Sequence, residues 1–123
     1  MNQFFGEGNL GLDPNLKSVR RDGEENDVVN LRIYFDRPVK DGEGNFEDKK
    51  GFWLNVEVWG GRATHVARLC AKGSRVAVIG SLMDDSYEKD GETITGVSVR
   101  ARQVYLVPTA KLERVHYRSD AAA

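Results

Sequence analysis

Gly51-Phe52-Trp53-Leu54-Asn55-Val56-Glu57-Val58-Trp59-Gly60 is the stretch of this sequence that decides the fold. Successive side chains of a β-strand point to opposite faces of its sheet. One face of this stretch is then an unbroken apolar row, which predicts the core side: Phe52, Leu54, Val56 and Val58. The other face carries Trp53, Asn55, Glu57 and Trp59. Two large aromatic side chains on a face that should be exposed indicate either a contact with another protein or a platform on which nucleobases stack.

The composition is that of an ordinary globular protein with one domain. The chain has 123 residues, of which 40% are hydrophobic and 30% are charged. No apolar run approaches the roughly 18 residues of a membrane span, and no secretory signal is visible at the N-terminus. Cys70 is the only cysteine, which excludes a disulfide framework within the chain and favours a reducing, cytoplasmic compartment. The net charge of −1 does not show whether the protein binds nucleic acid, because the clustering of cations matters more than the net charge.

Alternating apolar residues and turn residues predict five strands. Besides the tryptophan-bearing strand, they cover Gln3 to Gly11, Val28 to Phe35, Ser74 to Met83 and Thr93 to Val107. A long mobile loop is expected from Pro38 to Gly51, where glycines and charged residues replace the alternation. A polar hairpin is expected from Asp84 to Gly91, between the last two strands.

One helix is predicted from Arg62 to Lys72, with Gly73 as its stop, since glycine tolerates the left-handed conformation that ends many helices. Apolar residues recur in it at helical spacing, as Ala63, Val66, Ala67 and Cys70. Three strands, a helix and two more strands are the order of a five-stranded Greek-key barrel with one helix between its third and fourth strands. The expected fold class is therefore all-β, and the expected architecture is the OB-fold.

Cations lie near the predicted aromatic face. Arg32 and Tyr34 share the outer face of the second strand, and Arg75 points outward at the start of the fourth. The long loop and the residue just before it add Arg37, Lys49 and Lys50. Scattered charges are by default a solvated surface. Their placement beside aromatic side chains is what favours contact with phosphates.

Three blocks of sequence closely resemble the bacterial single-stranded DNA-binding protein family, in its order and at plausible spacings. They are Gly8-Asn9-Leu10-Gly11-Leu12-Asp13-Pro14, the tryptophan stretch, and the run from Leu69 to Leu82 with Lys72-Gly73-Ser74-Arg75-Val76 inside it. The likeness covers roughly residues 2 to 107. It implies an OB-fold that binds single-stranded DNA without sequence preference, in DNA replication, recombination or repair, usually as a homo-oligomer. Dimer and tetramer both remain open, because Gly6 and Glu7 occupy first-strand positions that are usually apolar in the family.

The resemblance also implies roles for individual residues. Trp53 and Trp59 match two positions whose aromatic rings stack bases in the family, and Tyr87 matches a third, in the hairpin. A fourth family aromatic falls near Arg37-Pro38 here, and Tyr34 is the nearest substitute. The chain departs from the family in its acidic hairpin, in Glu57 between the tryptophans, and in ending with Ser119 to Ala123 instead of an acidic, apolar-tipped tail.

These departures predict a specialised member of the family, of the kind that a mobile element encodes. Fewer cations along the groove predict weaker phosphate contacts and a shallower dependence on salt. Stacking on the aromatic residues would then supply most of the binding, at about 1–3 kcal/mol per base. Residues 1–108 are the predicted DNA-binding domain, and residues 109–123 are expected to form a short, poorly ordered extension.

Two functional hypotheses follow. The first is a sequence-tolerant binder of single-stranded DNA, and the second is a protein-interaction OB module, a primosome-type accessory or an assembly scaffold, whose aromatic face is covered by a partner. Gly6-Glu7-Gly8-Asn9-Leu10-Gly11 spells a dinucleotide fingerprint but lacks the strand before it and the helix after it. The residues show no nucleophile with a base beside it and no metal-ligand spacing. No enzymatic activity, cofactor, metal or membrane partner is expected.

Overall fold

The structure is a computed structural model that describes residues 1–119, and it contains ten strands and one helix in that part of the chain. The strands are β1 (Phe4–Leu10), β2 (Asn15–Arg21), β3 (Glu24–Phe35), β4 (Pro38–Lys40), β5 (Phe46–Asp48), β6 (Phe52–Trp59), β7 (Arg75–Asp84), β8 (Tyr87–Lys89), β9 (Glu92–Ile94) and β10 (Val97–Leu106). The helix α1 (Gly61–Leu69) lies between β6 and β7.

Five of the strands close into a barrel. Neighbours pair in the order β1-β7-β10-β6-β3, and β1 pairs again with β3 to complete the ring. The β6–β10 pair is parallel and the other pairs in the ring are antiparallel. The predicted all-β fold class, the five-stranded OB-fold barrel and the helix between its third and fourth strands are confirmed.

The core fills the inside of this barrel with β-branched residues and leucines. Its fully buried side chains alternate along the strands, as the sequence pattern predicts: Val29, Leu31, Ile33, Val56, Val58, Val76, Val78 and Val99. The helix adds Ala63, Val66 and Cys70 to the same cluster. Burial raises the pKa of the Cys70 thiol, so this cysteine behaves as a small apolar core residue.

Three sequence predictions about this framework were wrong in detail. The predicted second strand begins four residues earlier, at Glu24, and pairs with β2, a strand that was not predicted. The helix ends at Leu69, and Gly73 lies in the following turn, where its N–H donates to the carbonyl of Leu10 at 2.8 Å. Phe52 is 66% exposed, because it is the first residue of β6 and lies at the rim of the barrel, beyond the core.

The two polar connections contain short hairpins. The loop after β3 is shaped by the β4–β5 pair, and the segment after β7 by the β8–β9 pair, whose turn holds Asp90 and Gly91 at positive φ. The predicted last strand divides into β9 and β10. After β10, residues 108–119 are exposed and form no helix or strand, and the predicted extension continues into residues 120–123, which lie outside the described part.

Candidate nucleic-acid interface

Trp53 and Tyr34 lie side by side on the outer face of the barrel. They are register partners on β6 and β3, and their ring centroids are 5.2 Å apart at a tilt of 53°. The guanidinium of Arg32 lies 5.7 Å from the Trp53 ring centroid, and its Nη1 donates to Asn55 Oδ1 at 3.0 Å. Trp53 remains 49% exposed. We call Arg32, Tyr34, Trp53 and Asn55 the Trp53 platform.

Two glycines make room for the Trp53 platform. A Cβ on Gly11 would lie 2.5 Å from Cζ3 of Trp53, so the indole ring lies directly over this residue. A Cβ on Gly51 would lie 2.6 Å from the Tyr34 hydroxyl oxygen and from the carbonyl oxygen of Phe35. Both glycines therefore fix the position of an aromatic ring, a role that the sequence pattern alone does not reveal.

The Tyr34 hydroxyl ties the platform to the loop between β3 and β6. Its hydrogen bond to the Asp48 carboxylate raises the pKa of Tyr34 and lowers the pKa of Asp48. Asp48 also accepts from the backbone N–H of Arg37 at 2.9 Å. The phenol therefore stays neutral at physiological pH, and the start and end of the loop are held beside the Trp53 ring.

Trp59 lies at the other end of β6 among charged side chains. The guanidinium groups of Arg21 and Arg100 lie 5.6 Å and 5.2 Å from its ring centroid. Its indole N–H donates to Glu57 Oε1 at 3.0 Å, and Arg100 Nη2 donates to the same oxygen at 3.2 Å. We call Arg21, Glu57, Trp59 and Arg100 the Trp59 clamp.

Sequence reasoning missed the arginines at this end of the site. Arg21 belongs to the unpredicted strand β2, and Arg100 is the parallel-register partner of Glu57 on β10. Arg62 and Arg102 lie close by, where Arg62 Nη1 donates to the carbonyl of Arg102 at 3.2 Å. A cation next to an aromatic residue in the fold need not be near it in sequence, so only the pairing of β10 with β6 could have revealed Arg100.

The predicted loop cations differ in their surroundings. Arg37, Lys49 and Lys50 are all exposed on the loop that Asp48 anchors beside Tyr34. Lys49 pairs with Glu47 at 3.2 Å, an exposed contact of small energy. Lys50 adopts a positive φ of 60° immediately before Gly51. The loop therefore carries three cations around the edge of the Trp53 platform.

Tyr87 lies apart from the two tryptophans. It is 56% exposed on β8, in a two-stranded hairpin separate from the barrel sheet, and pairs in register with Ile94. The hairpin leaves the barrel before β10 begins, and β10 runs parallel to β6. Tyr87 therefore projects from the end of the barrel where β6 and Trp53 begin. Hydrogen bonds from Ser86 lower the pKa of Asp84, so this carboxylate at the start of the hairpin stays charged.

Arg75 is held by carboxylates. Its register partner is Asn9, whose partner on β3 is Tyr34, so Arg75 lies in the same cross-strand row as the Trp53 platform. Three strand spacings put it about 14 Å from Trp53. Its guanidinium donates to Asp36 Oδ1 at 2.7 Å and pairs with Glu7 Oε2 at 2.8 Å, and the bonds to Asp36 raise its pKa. Both carboxylates compete with any phosphate for this arginine.

We expect Arg75→Gln to weaken the fold more than it weakens ligand binding. The substitution leaves Asp36 and Glu7 without their partner and should lower the free energy of unfolding by about 1 kcal/mol, the size of a partly exposed charged hydrogen-bond pair. Urea denaturation measures this loss. Arg37→Gln is the matched control, because Arg37 is exposed on the loop and should change stability little. Equal stability of the two variants would contradict the structural role of Arg75.

The described residues offer no site for a metal. Within residues 1–119, no group of three or more His, Cys, Asp or Glu side chains is placed to hold an ion. In the same part of the chain, no helix is long and apolar enough to cross a membrane.

A closed five-stranded barrel with one helix between its third and fourth strands is the OB-fold, which is found in many proteins that bind oligonucleotides or oligosaccharides. The model of the single-strand binding protein family matches residues 1–107. The chain belongs to this family, as its sequence blocks predicted. The description of the family names single-strand binding.

Relatives and solved structures support the same assignment. The chain is 34% identical over 99 residues to the single-stranded DNA-binding protein of Corynebacterium glutamicum, covering 79% of this chain and 43% of that one. It is 30% identical over 112 residues to single-stranded DNA-binding protein 1 of Clostridium acetobutylicum, covering 90% of this chain and 97% of that one. The small single-stranded DNA-binding protein of Streptomyces coelicolor has the same fold, with a TM-score of 0.74, 19% identity, and coverage of 87% and 96%.

The length of the relatives varies. The chain spans about half the length of several of the curated relatives that it matches, from 43% to 58% in the actinobacterial proteins. The match to the family model includes every strand of the barrel, because β1, β3, β6, β7 and β10 all lie within residues 1–107.

Proposed function

We propose that this protein binds single-stranded DNA without sequence preference, through base stacking on its aromatic residues and contacts between its cations and phosphates. The observation that carries the proposal is the Trp53 platform, where two aromatic rings lie on the outer face of the barrel with a guanidinium beside them. Every base has a flat face, so stacking is tolerant of sequence. The names of the relatives, all single-stranded DNA-binding proteins, support the same ligand.

The proposed path of the strand runs along β6. Trp53 and Trp59 share its outer face and are separated by six residues, or about 20 Å of extended chain. Bases would stack on Trp53 and Tyr34 at one end and on Trp59 at the other, and Tyr87 would meet the strand beyond Trp53. Phosphates would contact Arg32, Arg37, Lys49 and Lys50 near the platform and Arg21 and Arg100 near Trp59. Arg75 stays in the proposed site only as a minor contact, because two carboxylates hold it.

Cations take a larger part in this proposal than the sequence suggested. Each tryptophan has at least one guanidinium within 6 Å of its ring centroid. Phosphate neutralisation releases counterions, with a salt slope of about −0.7 per contacted phosphate for a single strand. We therefore expect the affinity for DNA to depend on salt more strongly than the sequence suggested. Stacking and phosphate contacts would both contribute, and they would occur at the same places.

Titration with fluorescein-labelled oligothymidylate tests the proposal. Fluorescence anisotropy should rise on binding, the tryptophan emission should be quenched, and oligocytidylate should compete as well as oligothymidylate, whereas a duplex of equal length should not. Absence of binding at low salt would reject single-stranded DNA as the ligand. It would favour the alternative of a protein-interaction module, in which a partner protein covers the same aromatic face.

We further propose that the protein is a homo-oligomer that acts on DNA in the cytoplasm, in replication, recombination or repair. A second outer surface, on β1, β7 and β10, exposes Phe5 and Tyr105, which are 68% and 52% accessible. Apolar exposure of this kind is typical of contacts between proteins. Residues 1–108 would form the DNA-binding domain and residues 109–123 an extension of it. Light scattering of the protein gives the number of subunits.

A further inference from the structure

Glu57 occupies an unusual place for a residue of a DNA-binding face. Its carboxylate lies between the two tryptophans on the outer face of β6, where it would repel the phosphates of a bound strand. Its carboxylate nevertheless accepts three hydrogen bonds within the protein. One oxygen, Oε1, accepts from Trp59 Nε1 at 3.0 Å, from Arg100 Nη2 at 3.2 Å and from Arg100 Nε at 3.3 Å.

The contacts of Glu57 are those that a phosphate oxygen would make. A guanidinium recognises carboxylates and phosphates with the same donors and the same geometry. Arg100 therefore already has an anionic partner in the absence of DNA. The indole N–H of Trp59, which would otherwise donate to water or to a nucleotide, has the same partner.

The ring of Trp59 also has two guanidinium groups beside it. Arg21 and Arg100 both lie within 6 Å of its ring centroid, at 5.6 Å and 5.2 Å, close enough for a cation–π attraction. A base that stacks on this ring must therefore displace a guanidinium. The Trp53 platform differs, because within residues 1–119 Arg32 is the single cation over the Trp53 ring, and Arg32 is held by the neutral amide of Asn55.

We propose that Glu57 is an internal phosphate mimic, which holds Arg100 against Trp59 in the free protein and must be displaced before DNA binds at this end of β6. The inference rests on the proposed function and adds an order of events to it. A strand binds first at the open Trp53 platform. It then extends to Trp59, where one of its phosphates replaces the Glu57 carboxylate at Arg100 and a base takes the ring face.

Glu57→Gln tests whether the Glu57 carboxylate acts as a phosphate mimic, because it removes the charge and keeps nearly the same side-chain size. The amide holds Arg100 less strongly and does not repel phosphate, so affinity for oligothymidylate should rise about 5-fold, which corresponds to one partly exposed ion pair. The salt slope should change little, because one phosphate contacts Arg100 in both proteins. Anisotropy titrations at several salt concentrations measure both quantities.

Two controls separate the mimic from a general effect of charge. Glu25→Gln removes the same charge from β3. Glu25 lies three residues before Val28, the register partner of Trp59, and is therefore on the opposite face of the strand. This variant should leave the affinity and the salt slope unchanged. Arg100→Gln removes the proposed recipient, so Glu57→Gln should give a clearly smaller gain in that background, from the lost repulsion alone. Equal gains from Glu25→Gln and Glu57→Gln, or a full gain without Arg100, would overturn the inference.

A measurement without DNA keeps this inference separate from the proposed function. In a Trp53→Phe background Trp59 is the only tryptophan, because the chain has two. Release of the clamp by Glu57→Gln should increase the quenching of Trp59 by acrylamide, and unchanged quenching would show that Glu57 does not hold the clamp closed. Increased quenching in a protein that binds no single-stranded DNA would reject the proposed ligand but retain the clamp.

Discussion

Replacement of Trp53 by alanine is expected to weaken the binding of oligothymidylate by about 2 kcal/mol, or about 30-fold, because stacking of one base contributes about 1–3 kcal/mol. Trp53 is the most exposed ring of its platform and lies over Gly11, which cannot replace the lost surface. The substitution removes no cation. The salt slope should therefore change much less than the affinity, and anisotropy titrations over a range of salt concentrations measure both.

Phe52→Ala is the matched control for this prediction. Phe52 is the neighbouring residue, is itself 66% exposed, and points to the other side of β6. Its removal should leave affinity within about twofold of the original protein, since no base would stack on that side. Comparable losses in the two variants would mean that binding depends on the integrity of the strand and not on the outer face. Thermal melting of both variants checks that integrity.

The barrel could be predicted from the sequence because burial enforces alternation along its strands. Val29, Leu31 and Ile33 on β3 repeat at every second residue and are all buried. The strand β2 escaped prediction for the complementary reason. Six of its seven residues are exposed, and Leu16 and Val19 are three positions apart, so no core face imposes a period of two. Its place follows from pairing with β3, a tertiary property.

The candidate site divides in the same way. Trp53, Tyr34 and Arg32 could be proposed together, because they lie on strands whose outer faces the alternation identifies. The partners of the remaining charged residues depend on register between distant segments. Glu57 meets Arg100 across 43 positions, and Arg75 meets Asp36 across 39. Glu57, which from the sequence seemed only unfavourable for DNA, is therefore part of the Trp59 clamp. Arg75, which from the sequence seemed available for a phosphate, is paired with a carboxylate.

Gly80→Ala is expected to destabilise the protein by about 3 kcal/mol, the upper part of the range for overpacking. Gly80 lies on β7 between β1 and β10, opposite Phe4 and Ala101. A Cβ there would meet the carbonyl oxygen of Arg100 and would lie 2.8 Å from the Cα of Ala101. These are backbone atoms, which cannot rotate away as a side chain does, so β7 and β10 would have to separate at a point where the ladder is already irregular.

The sign of this prediction opposes the general tendency, since replacing glycine by alanine at an unstrained position stabilises by about 0.4–1 kcal/mol through the unfolded chain. Gly42→Ala shows that tendency as the control, because a Cβ on Gly42 has no atom within 4 Å and its φ is not positive. The midpoint of thermal unfolding should fall by about 10 °C for Gly80→Ala and stay level or rise slightly for Gly42→Ala. Equal midpoints would mean that the barrel opens between β7 and β10 at little cost. Because β10 also supplies Arg100 to the Trp59 clamp, a strand shift at Gly80 should release that arginine and leave Trp53 in place.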